Sequence, residues 1–454
     1  MKKAKIIPIY KAKDEQQFTN YRPISLLPTI SKVLEKVMHK RLYNFLNSEN
    51  ILFKSQYGFR KKHSTNHAIS ELVMKILDAF DNKEYTVGIF LDLSKAFDTI
   101  DHSLLINKLK FYGIRGIALE WFKGYLSDRK QFVDYNGIPS GERELCCGVP
   151  QGSVLGPLLF ILYTNDLPAC LQHASGILFA DDTTIYYSHK DLKLIHKAIT
   201  MDMACLEDWF KANKLSLNIS KTNYVIFHPA NRVLPPIDWE LKMGTEIIER
   251  KATVKFLGMF IDEHLKWASQ LSHVTSKMAK SLYVINSLKT ILPIKDLKTL
   301  YYTMIYPYLT YGIESWGSAQ KGLLHKANIL QRKVVRSIGI VKYNDPVSPV
   351  FKSLHLLQCS DIYDLQVLKL MYAYMQNDLP LPLIEQFTRN TEIHGHNTRQ
   401  NRNPHVQMRQ TSLAAKSIVH YGPLIWSKLP NEIKNVTLKS TFVRKCKKYM
   451  LELY

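Results

Sequence analysis

One stretch constrains this chain more than any other: Gly176-Ile-Leu-Phe-Ala-Asp-Asp-Thr-Thr-Ile-Tyr-Tyr187, in which two neighbouring aspartates interrupt an apolar, β-branched and aromatic run. Strand propensity is high on both sides of Asp181 and Asp182, so the pattern predicts a hairpin with both carboxylates at its tip. Adjacent carboxylates in an apolar frame are unfavourable unless something positive binds them. A lone Asp-Asp pair is far more often a solvated turn, and what shifts the reading lies upstream. Thr86-Val-Gly-Ile-Phe-Leu-Asp-Leu-Ser-Lys-Ala-Phe-Asp98 is a second apolar strand that delivers Asp92 at its end, with Asp98 close behind. Three carboxylates on strand ends, with Gly148-Val-Pro-Gln-Gly-Ser153 between them in sequence, point to a magnesium site for phosphoryl transfer.

Charge narrows the partners. The formal net charge is +22 and the pI about 9.5, a surplus that serves a polyanion: nucleic acid first, anionic membrane second. The longest apolar run, Val154 to Tyr163, contains Gly156 and Pro157 and falls short of the roughly 20 residues a spanning helix needs, so no membrane partner is expected. Cysteines at 146, 147, 170, 205, 359 and 446 form no Cys-x-x-Cys pair. That usage fits a reduced intracellular compartment. Met1 to Tyr10 lacks the apolar core of a signal peptide.

Periodicity supplies the frame. Residues 29–47 have helical spacing through Ile30, Val33, Leu34, Val37, Leu42, Phe45 and Leu46. Ser55-Gln-Tyr-Gly-Phe-Arg-Lys-Lys-His-Ser-Thr65 is a basic turn in which Arg60 offers a bidentate fork and Lys61 or Lys62 a point charge for a triphosphate or phosphodiester; a solvated basic loop fits the composition equally well. Helices are expected near 67–80, 101–111, 117–126 and 158–165, and Asn136-Gly137 marks a hairpin between 131–135 and 142–146. Gly152 beside Gln151 suits close approach to a flat base or sugar, unless the glycines and prolines there only build a turn before a buried helix. Residues 191–215 carry an inward stripe of Leu194, Ile195, Ala198, Met201, Met203, Leu206 and Trp209, read as core. Strand pattern returns over 217–227, with Lys221 just before its apolar part, and continues past Met243-Gly244 to Asp262. This order describes an α+β sheet with helices packed on one face.

From about Trp267 long helices are expected, over 268–292, 294–309 and 323–338. Their polar faces carry Lys277, Lys280, Lys289, Lys295, Lys298, Lys326, Arg332, Lys333 and Arg336, interleaved with Tyr283, Tyr301, Tyr302, Tyr306 and Tyr308. Such a one-signed face grips a duplex backbone, or is merely solvated. Two more helices are expected within 346–387, and a short one near 411–421 follows a basic turn at 395–402. His394, His396, His405 and His420 with Cys446 lack the tight spacing of a metal-ligand set.

In this order the motifs resemble the reverse transcriptase of non-long-terminal-repeat (LINE-type) retrotransposons, most nearly the jockey-like group. The carriers are Arg-Pro-Ile-Ser-Leu-Leu (22–27), Gln-Tyr-Gly-Phe-Arg (56–60), Phe-Leu-Asp-Leu-Ser-Lys-Ala-Phe-Asp (90–98), Pro-Gln-Gly-Ser-Val-Leu-Gly-Pro (150–157), Phe-Ala-Asp-Asp (179–182), Leu-Asn-Ile-Ser-Lys-Thr (217–222) and Phe-Leu-Gly (256–258). The late stretch Gly422-Pro-Leu-Ile-Trp-Ser-Lys-Leu-Pro430 is similar to the group's closing segment. The resemblance implies an α+β right-hand polymerase: fingers over 1–85, a palm with an antiparallel sheet over 86–265, a helical thumb over 266–345 and a small basic C-terminal helical region over 346–454. It implies that Asp92, Asp181 and Asp182 carry two magnesium ions, or manganese, with the carbonyl of Leu93 completing one shell. Phe97 matches the position under the sugar that excludes a 2′-hydroxyl, and Gln151 and Gly152 match the loop that positions template and incoming base. Arg22, Arg60 and Lys61 are triphosphate candidates; Lys221 matches a proposed general acid to the pyrophosphate, or is a surface lysine. Phe256, Leu257 and Gly258 correspond to the strand that supports the primer end. Implied partners are an RNA template, a DNA primer and deoxynucleoside triphosphates, at least transiently in the nucleus. The endonuclease that precedes the polymerase in family members is not in this sequence, so a truncated copy is the expectation. Two other readings compete: a non-catalytic RNA- or DNA-binding relic of the same fold, and a two-metal nuclease.

Overall fold

The computed structural model describes residues 2–11, 14–94, 96–236, 239–342, 344–393, 401 and 403–454. Lys95 of the 90–98 motif, His394, His396 and most of the 395–402 turn lie outside the described residues.

The chain starts with an antiparallel pair, β1 (Lys3–Tyr10) and β2 (Tyr21–Leu26), then α1 (Thr29–Ser48) and α2 (Thr65–Asp81). The Ser64 side chain caps α2 by accepting from the His67 amide. In α1 the buried face differs from the expected stripe: Leu42 and Leu46 are buried, but Ile30, Val33, Leu34 and Val37 face solvent. The helix is turned by Ser31 and Glu35, both buried, because the Glu35 carboxylate accepts from the amides of Val154 (2.6 Å) and Leu155 (3.2 Å) at the head of a later helix. Satisfying those donors outweighs hiding four aliphatic side chains at a surface.

β3 (Tyr85–Asp92) leads through α3 (His102–Phe111), capped by Asp101, and α4 (Gly116–Leu126) to β4 (Lys130–Tyr135). The Asn136-Gly137 hairpin forms, yet its return is split into β5 (Ile138–Pro139) and β6 (Arg143–Glu144), since Pro139 and Gly141 interrupt a ladder. β4 also runs parallel to β1, which joins these strands in one sheet of order β2-β1-β4-β5, with β6 on β4. α5 (Gly156–Tyr163) follows and is buried on all sides.

β7 (Ser175–Phe179) and β8 (Asp182–His189) form the aspartate hairpin; α6 (Leu192–Ala212) and β9 (Asn223–Phe227) come next. Four short strands, β10 (Lys242–Met243), β11 (Glu246–Ile247), β12 (Glu249–Arg250) and β13 (Thr253–Phe256), lead to β14 (Met259–Asp262). The central sheet has the order β12-β9-β3-β8-β7, with β3 antiparallel to both β8 and β9. Helices cover both of its faces, where one was expected. Val87, Ile89, Leu91, Ile185 and Ile226 point into a core with α3, α4, α5 and α6, while Phe90, Tyr186, Val225 and Phe227 point into a second core with α2 and the later helices. Both parities of these strands are apolar, the mark of a strand buried on two sides. In α6, Leu194 and Met201 are exposed, and Ile199, Asp202 and Phe210 are buried instead. Asp202 faces in because its carboxylate takes the amides of Gln172, His173 and Ala174.

The remainder is helical: α7 (Ala268–Leu288), α8 (Ile294–Met304), α9 (Tyr306–Thr310), α10 (Ile313–Trp316), α11 (Lys321–Gly339), α12 (Ser348–Ser353) and α13 (Cys359–Met375). The helix expected over 294–309 breaks at Ile305, two residues ahead of Pro307, which cannot donate to the preceding turn. Of the tyrosines expected on the basic face, Tyr283 is exposed, whereas Tyr301 is core and accepts from Gln331 Nε2 at 2.9 Å. The C-terminal helices Ile418–Ser427 and Lys439–Glu452 pack on α13, and Trp316, Phe351, Trp426 and Phe442 belong to the same hydrophobic cluster as α2. The segment before them returns to α2: Arg409 pairs with Asp78 at 2.6 Å, and Asp81 accepts the amides of Gln410 and Thr411. His405 and His420 use their Nδ1 atoms on Asn390 and the Gln407 carbonyl, and Cys446 is buried. No helix among the described residues is long and apolar enough to cross a membrane.

Candidate active site

The register of the central sheet sets the geometry. Asp92, last residue of β3, lies directly opposite Asp182, first residue of β8, so their side chains share a face with Cβ atoms about 4.5–5.5 Å apart. Asp181 sits beside them in the two-residue turn Ala180-Asp181, whose tightness puts Ala180 at φ +56°. The turn carboxylates reach solvent, but the surrounding walls strip part of their hydration. Desolvation, then the charges of Asp181 and Asp92, push the Asp182 carboxyl up to about 6. Asp181 is likewise raised, chiefly by desolvation and then by Asp92, with the Arg22 guanidinium opposing. Three carboxylates that repel one another at low hydration need a cation. Besides Arg22, the described residues place Lys221 here, its ammonium 3.2 Å from Asp92 Oδ2.

The end of β3 is clamped. The Asp92 carbonyl accepts from Asn218 N at 2.8 Å, and its amide donates to Thr222 Oγ1 at 3.3 Å. Leu93 bridges Leu217 and buries its side chain.

The turn is held by a segment whose sequence pointed elsewhere. Residues 55–57 run parallel to β7: Tyr57 N donates to the Leu178 carbonyl (2.7 Å) and Leu178 N to the Ser55 carbonyl (2.9 Å). Buried Gln56 turns its Oε1 to the amides of Gly58 (2.8 Å) and Ala180 (3.2 Å). Glu71, buried in α2, accepts from Ser55 Oγ at 3.0 Å and from the Tyr57 hydroxyl. A Cβ at Gly58 would lie 2.3 Å from Ala180 N, so only glycine lets the two turns touch. Gln-Tyr-Gly-Phe-Arg is thus a brace for the aspartate turn, and Arg60, expected at a triphosphate, takes part in it. Its Nη1 donates to the carbonyls of Phe53 (2.8 Å) and Gln56 (3.3 Å), and its Nε is buried without a partner among the described residues. The guanidinium supports the brace because carbonyls at a tight turn need a donor. Lys61 remains exposed, its ammonium 5.5 Å from the Tyr43 ring centroid, while Lys62 pairs with Asp378 at 2.5 Å.

Phe97 is half-buried, stacked on Phe160 at 4.6 Å and edge-on to Phe59 at 6.3 Å. Gln151 donates from Nε2 to both oxygens of Asp98, at 3.0 and 3.1 Å, and its carbonyl accepts from Ser25 N at 2.7 Å. Gly152, at φ +123°, permits a close approach, but to protein: a Cβ there would stand 2.6 Å from the Ser25 carbonyl. The 150–157 loop is therefore seated on β2 of the 22–27 motif.

Beside Asp92 opens a groove of about 900 Å³, lined by Lys221, Lys251, Lys255, His273 and Ser272 among others. Its far wall is α7 and its floor the β13–β14 hairpin. At the hairpin tip Leu257 and Gly258 both take positive φ, and the Leu257 carbonyl accepts from the Tyr311 hydroxyl. Phe256 is buried against Phe90 at 5.6 Å beneath the tip, where both rings line a small cavity of about 90 Å³ with Asp92, Asp182 and Lys221. The glutamates and Gln56 that brace the site left no periodic signal. Ser/Gly neighbours of Gln56 showed a turn, but its partner lies 124 residues away.

The family profile described as reverse transcriptase (RNA-dependent DNA polymerase) matches residues 9–261. The probable RNA-directed DNA polymerase from transposon BS of Drosophila melanogaster is 31% identical over 373 residues, covering 78% of this chain and 40% of that protein. The RNA-directed DNA polymerase from mobile element jockey of the same organism is 29% identical, covering 74% and 38%. The chain thus spans about two fifths of the length of these relatives. Among solved structures, telomerase from Candida albicans in complex with a fragment of telomeric RNA aligns with a TM-score of 0.45 at 12% identity, over 79% of this chain and 66% of that one.

Proposed function

The chain belongs to the reverse transcriptase (RNA-dependent DNA polymerase) family, and on that premise we propose that it extends the 3′-hydroxyl of a DNA primer with deoxynucleoside triphosphates, copying retrotransposon RNA. The single observation that carries the reading is the direct pairing of Asp92 with Asp182 around the Asp181 turn. Fingers over 1–85, palm over 86–265, thumb over 266–345 and a C-terminal region over 346–454 are the divisions that go with it.

Hard carboxylate oxygens suit magnesium, or manganese in its place, and an ammonium already resting on Asp92 supports the fit. Bound there, two such ions would acidify the primer hydroxyl and neutralise the departing pyrophosphate. Asp92, Asp181 and Asp182 would hold them, with the Leu93 carbonyl. Lys221 leaves Asp92 and turns its Nζ proton to the pyrophosphate. Phe97, backed by Phe160, lies under the sugar and refuses a 2′-hydroxyl by clash. Gln151, held by Asp98, and Gly152 position the base pair, and Lys61 and Arg22 attract the triphosphate. The Leu257-Gly258 tip supports the primer end, with the lysine-lined groove taking the duplex backbone. Such chemistry takes place on chromosomes, so residence in the nucleus is at least transient. Primer extension on an RNA template tests this: Asp181→Asn is expected to lower the rate by about 10²–10³-fold or more. Binding by the wild type without extension would favour a non-catalytic relic, and shortening of the substrate a nuclease.

A further inference from the structure

Away from the aspartates, one place among the described residues gathers three metal-ligating side chains. His228, just past β9, and Glu263 and His264, just past β14, bring one ring nitrogen each and a carboxylate oxygen within 4.8 Å of one another. The backbone settles the tautomers. His228 Nδ1 lies 3.2 and 3.0 Å from the carbonyls of Pro229 and Arg232, and His264 Nδ1 lies 3.0 Å from that of His228. A carbonyl only accepts, so each Nδ1 carries the hydrogen and each Nε2 keeps a lone pair. A carbonyl on the far nitrogen is what orients a metal-bound histidine.

Glu263 is divided between two neighbours. Its Oε2 lies 3.4 Å from Arg250 Nη2, and its Oε1 lies 3.7 Å from His264 Nε2, too long for a hydrogen bond. The two rings stand edge to face at 4.5 Å. His264 also lines a cavity of about 140 Å³ with Trp267, Ser315 and Ala319, room enough for a water. We propose that His228, Glu263 and His264 bind a zinc ion, with water as fourth ligand, that ties the β13–β14 hairpin and the root of α7 to the central sheet. Two imidazoles and one carboxylate are a donor set for zinc rather than for magnesium or calcium. Tetrahedral zinc bonds of about 2.0–2.2 Å set ligand atoms about 3.4 Å apart, so these must close by up to about 1.4 Å, within reach of side-chain rotation. The mechanical role follows from position. β13 and β14 form a sheet of their own, and the adjoining Asp262 carboxylate caps the lead into α7 through the amides of His264, Lys266 and Trp267. A metal here crosslinks the exit of β9 to that lead.

The test is titration of the metal-free full chain with zinc and with cobalt, followed by absorbance and thermal melting. One equivalent with the visible bands of four-coordinate cobalt is expected, distinct from any ions at the aspartates, together with a higher Tm. His228 is buried and its loss can unfold the loop, so His264→Ala and Glu263→Gln carry the test: each should weaken binding about tenfold or more. Asp181→Asn should leave the equivalent in place. Four-coordinate cobalt bands absent from the wild type, affinity unchanged in both ligand variants, or an equivalent lost in Asp181→Asn would each overturn the proposal.

Discussion

At the scale of single residues, the site stores its own electrostatic cost. Asp182, near 6 in the fold against an ordinary value near 4, favours its protonated form. The sign follows: the fold carries no penalty from this group below pH 4, acquires one as pH rises toward 6, and bears it fully above. Asp182→Asn should therefore raise the Tm of the metal-free protein at pH 7.5 by roughly a degree or two, a small effect because the carboxylate is partly screened by solvent. The gain should vanish at pH 4, and an equal gain at both pH values would locate the cause elsewhere. Phe97 makes a second case. With Phe160 behind it and Phe59 at its edge, the ring has little freedom to retreat. Phe97→Ala is expected to incorporate ribonucleotides at least about tenfold more readily relative to deoxynucleotides, measured by competition in primer extension. Unchanged discrimination would remove the ring from that role.

At the scale of elements, motifs far apart in sequence turn out to be parts of one another. The 150–157 loop rests on β2 through Ser25, Gln151 and Gly152; the 55–60 turn rests on the aspartate hairpin through Gln56 and Gly58. Glycine at 152 is required twice, by φ +123° and by the Ser25 carbonyl. Gly152→Ala should cost about 1–3 kcal/mol of stability, seen as a lower denaturant midpoint, and should slow extension by displacing Gln151. Helix directions were legible from periodicity, whereas the buried face of α1 was not. A stripe of four aliphatic residues is exposed there because Glu35 has backbone amides to satisfy, and no local pattern announces a partner more than a hundred residues away.

At the scale of the whole molecule, the C-terminal segment is woven into the body of the fold. Trp316, Phe351, Trp426 and Phe442 share one cluster with α2, and Asp78 and Asp81 hold the segment at Arg409 to Thr411. A chain ending at residue 345 would uncover that core; we expect it to bind a hydrophobic dye and to be cut within α2 by limited proteolysis. A cooperative melt at the full-length Tm would show the segment to be dispensable. What the amino-acid order offered by itself was the proposed metal site, with Asp92, Asp181 and Asp182 at strand ends, and a net charge of +22 suited to a polyanion, whereas Phe97, Gln151 and Lys221 entered only through the resemblance of their motifs. Side-chain type and short spacing are enough for that, because strand ends and turns are local. The tertiary structure alone decided that Arg60 serves backbone carbonyls, that Phe256 is core, that helices cover both faces of the sheet, and that Gln56 and Glu71 brace the aspartate turn. Each of these depends on which unsatisfied donor or acceptor a distant segment brings near, and a buried polar group takes whatever partner the packing supplies.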